Sequence, residues 1–578
     1  MLDVGFDALK QREQHRRMRR MAAITAVAVC VMAVTIVLAI FALVSRHRAV
    51  IAQHEAVTAK QAAQRRQKQA EGLVGFMLGD LNDKLAQVNR LDIMQTVDDK
   101  AMAYFESLPS TDVNDTALAQ RAKALEKIGS VRLDQGSLKG ALASFHASAS
   151  ISSKLAAAAP ADARRQLAYS QTLAFIGMTH WRQGAMSVAQ HDFEAGRQVL
   201  QSSSSHAAVD PALQVQLAFL DDDIGHVLEA RGQSSAASVA YRRMLDEARA
   251  AALAKPGDVF DQQSVGTAHN NLGKVALQRG DLATAITQYR ADDAIETRLS
   301  EQDPRNNLQR DDMLRVRAIL GRTLALTGNT EDAIKDLQQS VDMAGQLIGD
   351  EPRNTGVQNH LALYSSQLAR LQRLSSDASA ATHSNSRAIT ILESLTKQDP
   401  SNQGWQSGYA EALTEQAEEL MADRNPEAAG ESAEKALAIL SPMLSKHPDE
   451  RATLLSTMAV KLLLASAARD ERSAQTLREA ALRTMQEVKV DHNDPRLRAL
   501  EVEALLALNR DVDAQALVKQ LWSEGYRDLG FVALLQRKHI AYPVNKTFTQ
   551  RIDNVLNAAS ASEPKPVVTP TRNPTPQP

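Results

Sequence analysis

The chain holds a single cysteine, Cys30, so an internal disulfide or a thiolate zinc site is excluded. A soluble part free of thiols suits an oxidising compartment without requiring one. Aromatic residues make up only 4% of the chain, which fits helical packing built on alanine and leucine. Neither sign of charge dominates: 66 basic and 68 acidic residues leave a formal net charge of -2, so no global field favours nucleic acid. Catalytic motifs are missing as well. The 14 histidines form no HExxH or other i, i+4 zinc pair, and no GxSxG elbow occurs. The stretch Gly266–Lys274 (GTAHNNLGK) has too many residues between its glycines for a phosphate loop, and Val275 stands where a Mg²⁺-binding hydroxyl is needed. The pairs and triplets Asp221–Asp223, Asp292–Asp293 and Asp311–Asp312 lack ligand spacing and read as solvated helix faces. No enzyme, cofactor or metal site is expected.

Long uncharged runs are absent with one exception. Residues 21–44 (MAAITAVAVCVMAVTIVLAIFALV) carry no charge and, as a helix, would span about 36 Å, enough to cross a bilayer. A cleaved signal peptide would have a shorter apolar core and a small-residue cleavage site instead of the flank Ser45–Arg48. An uncleaved anchor is expected. Lys10, Arg12, Arg16, Arg17, Arg19 and Arg20 precede it, against Arg46, Arg48 and Lys60 just after, so the N-terminus is placed in the cytoplasm. Leu73, Phe76, Met77, Leu81 and Leu85 form an amphipathic stripe beyond it, read as a stalk and cap, with dimerisation as the sharper alternative. The Pro-rich end, residues 558–578, cannot bury a core and is expected to be disordered.

The rest of the chain repeats. Gly129, Gly177, Gly225, Gly273, Gly321, Ala369 and Ala417 recur every 48 residues. Twelve positions after each anchor stands an alanine: Ala141, Ala189, Ala237, Ala285, Ala333, Ala381 and Ala429. Sixteen positions after come Phe145, Phe193, Tyr241, Tyr289, Leu337, Asn385 and Ala433. Gly136, Gly184, Gly232, Gly280 and Gly328 predict a tight turn between two helices, and prolines at 160, 256, 304, 352, 400 and 448 predict the end of the second helix. The small anchor lets the helices cross closely, and the aromatic is expected to fill the gap to the next copy. Copies six and seven carry Ser376 and Arg424 in place of the turn glycine, so looser turns, weaker packing and lower stability are expected there. A fixed period of this length means stacked units that bury their apolar faces on one another.

These offsets resemble the tetratricopeptide repeat, whose usual length is 34 residues. The surplus of 14 falls after the aromatic, which suggests a lengthened second helix. The expected fold is all-α: a tetratricopeptide-type α-solenoid of antiparallel helix pairs with an N-terminal transmembrane helix. Its divisions are a basic tail (1–20), the span (21–44), a stalk and cap (45–117), seven repeats (118–448), and degenerate pairs with a C-terminal cap (449–557). In the last of these Ala504 and Ala516 keep the 12-residue spacing. With the segment Ala70–Phe105, the arrangement also resembles the extracytoplasmic sensor half of bacterial signalling proteins whose cytoplasmic part is a Ser/Thr kinase, a TIR domain or a DNA-binding domain. Only 20 residues precede the span, so any effector is expected on a separate polypeptide.

What this resemblance implies is a scaffold or sensor for proteins or peptides; the apolar run and the charge bias make it single-pass in the bacterial inner membrane with the repeats periplasmic, and a homodimer through the stalk stays the alternative to a plain stalk and cap. The alternative is an envelope-assembly or secretion tether that carries no signal. In such solenoids the first helices line the concave surface. Lys274, Arg322 and Arg370 directly follow their anchors, with Arg315 in support, so the groove is expected to attract peptides bearing carboxylates. His226 and Asn270 complete the candidate partner-binding set. The asparagine clamp of carboxylate-binding tetratricopeptide domains is not claimed, because no copy has Asn directly after its anchor.

Overall fold

A computed structural model describes residues 4–76, 100, 115–134, 136–204, 210–448, 450–486 and 493–561. The described residues form 21 helices and no strand. The chain divides into two compact units, residues 1–151 and 152–578.

In the first unit one helix, Val4–Phe76, runs without a break through the basic tail, the apolar segment and the residues beyond it. Its section from His15 to Ala62 is long and apolar enough to cross a membrane, and the apolar window within it is wholly exposed. The two hydroxyls of the uncharged run are satisfied inside the helix: Thr25 donates to the carbonyl of Met21 and Thr35 to that of Met32. Copy one follows with Asp115–Asp134, and Phe145 packs its ring over Gly129. The side chains of Leu73 and Phe76 and the positions Met77, Leu81 and Leu85 lie outside the described residues, as do most of Ala70–Phe105 and residues 562–578.

In the second unit copies two to seven are consecutive antiparallel pairs, each packed on the next. The first helices are Ala163–Arg182, Pro211–Ala230, Val259–Gln278, Asn307–Leu326, Thr355–Leu374 and Gln403–Ala422. Their partners are Met186–Ser204, Ser234–Ala254, Leu282–Gln302, Thr330–Asp350, Ala378–Gln398 and Pro426–Lys446. The surplus length is not confined to the second helix. In copy four the first helix has 20 residues and the second 21, so neither partner projects an unpaired apolar end. Second helices stop two residues before the prolines, as at Gln302 before Pro304.

The aromatic works within its own copy. A Cβ at Gly273 would lie 2.7 Å from the Tyr289 ring, and one at Gly177 would lie 2.8 Å from Phe193. Anchor and aromatic stand at similar distances on either side of the turn, so an antiparallel pair brings them face to face; that is why the ring fills the space inside the copy.

The turn glycines adopt φ between 72° and 82°, and Ser376 and Arg424 hold the same left-handed geometry at 67° and 61°. Their hydrogen bonds are those of the glycine turns: Asn329 N donates to Leu324 O, and Asp377 N to Gln372 O. The turns of copies six and seven are therefore not looser. What changes is local strain, because a side chain in this region costs about 1 kcal/mol or more.

Beyond copy seven stand two further pairs, Arg451–Ala467 with Glu471–Gln486 and Pro495–Ala507 with Asp511–Ser523, then Leu529–Arg537 and Lys546–Ala561. The second pair turns at Asn509, φ 58°, so its alanine at the repeat position is the fully buried Ala514. Ala516, expected there from its spacing to Ala504, is exposed: the turn sets the register. These C-terminal helices share one hydrophobic core with copies four to six, in which Leu505, Leu521, Val532 and Phe548 join Tyr289, Leu337 and Tyr364.

Candidate functional site

In copies two to seven each first helix is started by a side-chain cap. Asp210 accepts from Ala212 N at 3.0 Å, Asp258 from Phe260 N at 3.0 Å, Asn354 from Val357 N at 3.1 Å and Asn402 from Trp405 N at 3.1 Å. With Asp162 and Asn306 these caps form a column at the same 48-residue step, an Asp/Asn signal as regular as the glycines. Because every first helix starts in the same phase, residues at matching offsets form continuous stripes across neighbouring copies. The first-helix residues of the candidate site lie on these stripes.

A cavity of about 420 Å³ opens between copies three, four and five. Phe219 and Phe260 line it with their rings 5.7 Å apart, and both are exposed. Its wall carries Asp222, Asp292, Glu296 and Asp312 against one cation, Arg315. Arg315 is bound to Asp312 at 2.9 Å, Asn270 donates to Asp292 at 2.9 Å, and Asn271 donates to Asp222 at 2.7 Å. Gly266 makes room for the acids: a Cβ there would stand 2.7 Å from Asp292 Oδ1 and 3.1 Å from Glu296 Oε1. Burial pushes the Asp292 carboxyl up to about 7, against the opposing bond from Asn270. Burial, with Asp292 and Asp312 nearby, pushes Glu296 up to about 8. Asp312 is raised by burial in spite of Arg315.

Of the candidate residues, the fold brings Asn270 and Arg315 into this cavity and leaves the other four outside its wall. Lys274 reaches Glu229 at 2.8 Å, in a network that Tyr241 and Gln278 also join. His226 lies 3.3 Å from Asp222 and packs edge-on against Tyr241. Burial opposes its charge, but Asp222 prevails and raises its pKa. Arg370 donates to both oxygens of Asp528 at 3.0 Å, so the C-terminal region supplies an acid to that position. Arg527 N also donates to Leu326 O at 2.6 Å, and Arg551 pairs with Glu331. Arg322 is exposed and has no ion pair among the described residues.

The aspartate runs are not solvated faces throughout. Asp221 is fully buried between Arg197 and Arg243, each at 2.9 Å, and Asp292 is buried too. Both lie on the sides of helices that meet a neighbour, where a carboxylate persists only with donors around it. Among the described residues no group of His, Cys, Asp and Glu is arranged to hold a metal ion. The stretch Gly266–Lys274 lies within the helix Val259–Gln278, so it forms no phosphate loop.

Helix pairs of matched length, a positive-φ turn and a small anchor under an aromatic define the fold: a solenoid of tetratricopeptide-type helix pairs. No family model matches the chain, and no curated protein matches it. Among solved structures it is similar to the apo form of RapI, at 10% identity over 76% of this chain and 99% of that one, with a TM-score of 0.46. A tetratricopeptide repeat protein from Parabacteroides merdae is 14% identical over 59% of this chain and 99% of its own, TM-score 0.33. Yeast Tom70 is 12% identical over 84% and 96%, TM-score 0.28.

Proposed function

We propose that the chain is a membrane-anchored scaffold or sensor that holds protein partners without catalysis, its repeats displayed in the periplasm. The observation that carries the reading is the open cavity of copies three to five, lined by three first helices in register together with second-helix residues such as Asp292 and Glu296, and rimmed by two exposed aromatics. Preformed concave sites with a few placed polar groups suit recognition of a side chain or short segment. Anchoring is supported by the exposed run 21–44, whose hydroxyls need no outside partner, a requirement for a helix in lipid. The excess of Lys and Arg before this run supports a cytoplasmic N-terminus.

Photo-crosslinkers placed at Phe219 and Phe260 of the full chain in native membranes test the reading. Discrete protein adducts, absent when the crosslinker sits outside the cavity wall at the exposed Arg242, are expected. Equal labelling at all sites would overturn the scaffold. A reporter active only outside the cytoplasm, fused after Pro578, should be active; activity of a cytoplasm-only reporter instead would reverse the orientation.

A further inference from the structure

We infer that the cavity of copies three to five binds a cationic peptide segment, seating a Lys or Arg side chain against Asp292 and Glu296 and apolar neighbours on Phe219 and Phe260. This rests on the scaffold reading and names the chemistry of its partner. The first ground is an unfinished hydrogen-bond set. Glu296 is only 5% exposed, lines the cavity, and its Oε2 is buried with no hydrogen-bond partner. A buried carboxylate oxygen left in this way costs more than a paired one gains, so an incoming N–H donor is strongly favoured there.

The second ground is charge. Four carboxylates line the wall, and the one cation among them is already committed to Asp312. Asn270 and Asn271 are donors but neutral, and they are used by Asp292 and Asp222. An arriving ammonium or guanidinium would therefore meet two adjacent acids that burial and mutual repulsion hold partly protonated near neutral pH, and its charge would favour their ionised form. It would relieve that repulsion as it binds. The third ground is the rim. Phe219 and Phe260 are 45% and 49% exposed and tilted against each other, which offers apolar contact and a cation–π face beside the acids. An acidic peptide, attractive to the isolated cations of the sequence, would meet like charge here.

The test is titration of the full chain, in detergent or nanodiscs, with a fluorescent pentapeptide Phe-Gly-Lys-Gly-Phe. The same peptide with acetyl-lysine or with Glu in place of Lys serves as comparison. The Lys peptide should bind, and acetylation or Glu should weaken binding by about tenfold or more. Glu296→Gln, nearly the same shape, should weaken it similarly. Phe219→Ala, on the half-exposed rim, should weaken it several-fold while the helical circular-dichroism signal is retained. Equal binding of the Lys and acetyl-lysine peptides, indifference to both substitutions, or binding of Ca²⁺ or Mg²⁺ alone would overturn the inference. If crosslinking at Phe219 still captures a partner that Glu296→Gln does not affect, the charge chemistry fails and the scaffold reading stands. If no adduct forms with any protein, the scaffold reading itself fails.

Discussion

Copies four and six meet the same helix-crossing requirement with opposite residues. In copy four the anchor is Gly273 and Tyr289 lies over it; in copy six the anchor is Ala369 and its partner is Asn385. Both partners are buried, as are Ala417 and Ala433 in copy seven. Volume is redistributed between the two positions: a glycine under a large ring becomes Ala369 with Asn385, or Ala417 with Ala433, all buried. Copies six and seven also place Ser376 and Arg424 where copies four and five place glycine, so their turns carry strain that Gly280 and Gly328 avoid. Replacing glycine and aromatic together keeps the geometry. What it gives up is the large buried ring, and with it part of the apolar surface removed from water.

The largest expected effect separates the two packings. Tyr289→Ala should destabilise by about 3–5 kcal/mol, because a ring leaves a cavity over Gly273 that backbone cannot fill. Asn385→Ala removes one hydrogen bond, to Ala412 O at 3.0 Å, and should cost about 1 kcal/mol. Denaturant melts of both variants decide the matter, and equal losses would break the comparison.

The next effect is pH-dependent. Burial pushes Asp292 from the ordinary 3.8 up to about 7, with Asn270 and Arg315 opposing and Asp293 and Asp312 adding; burial, then Asp292 and Asp312, push Glu296 from 4.5 up to about 8 against Arg315. Between about pH 4 and 8 the folded chain holds protons that the unfolded chain has released, so their contribution falls as pH rises through that window. Glu296→Gln should remove on the order of 2 kcal/mol of that fall. Thermal melts of wild type and variant from pH 5 to 8.5 should converge toward low pH; parallel curves would show that Glu296 titrates normally.

The smallest effect lies in the turns. Ser376→Gly and Arg424→Gly should each stabilise by about 1 kcal/mol through release of strain, whereas Gly280→Ala should destabilise. Hydrogen exchange across the second helices of copies six and seven would report the gain locally. No change in protection on either glycine substitution would mean that these turns are unstrained.

The helical architecture was legible because its signals are local and repeat. The 48-residue step, the prolines two residues past six of the seven second helices, and the turn glycines each report a backbone requirement that one residue type meets best. The Asp/Asn caps at 162, 210, 258, 306, 354 and 402 are equally regular and equally legible. The candidate site was legible in part. Asn270 and Arg315 lie in the cavity, but Asp292 and Glu296 come from the second helix of copy four, a helix that the sequence reading did not expect to contribute. Arg370 looked free for a partner because Asp528, 158 residues further on, carries no sequence mark that links the two.

By itself, then, the sequence determined the unit: helix, turn, helix, its length, and one apolar run suited to a bilayer. These follow from φ preferences, capping and periodic burial, which act over a few residues at a time. Only the tertiary structure decided which charges are spent and which remain. Whether Lys274, Arg370 or Glu296 has a counter-charge depends on neighbours brought close by stacking and by the return of the C-terminal helices, and electrostatic pairing is set by distance in space, not along the chain.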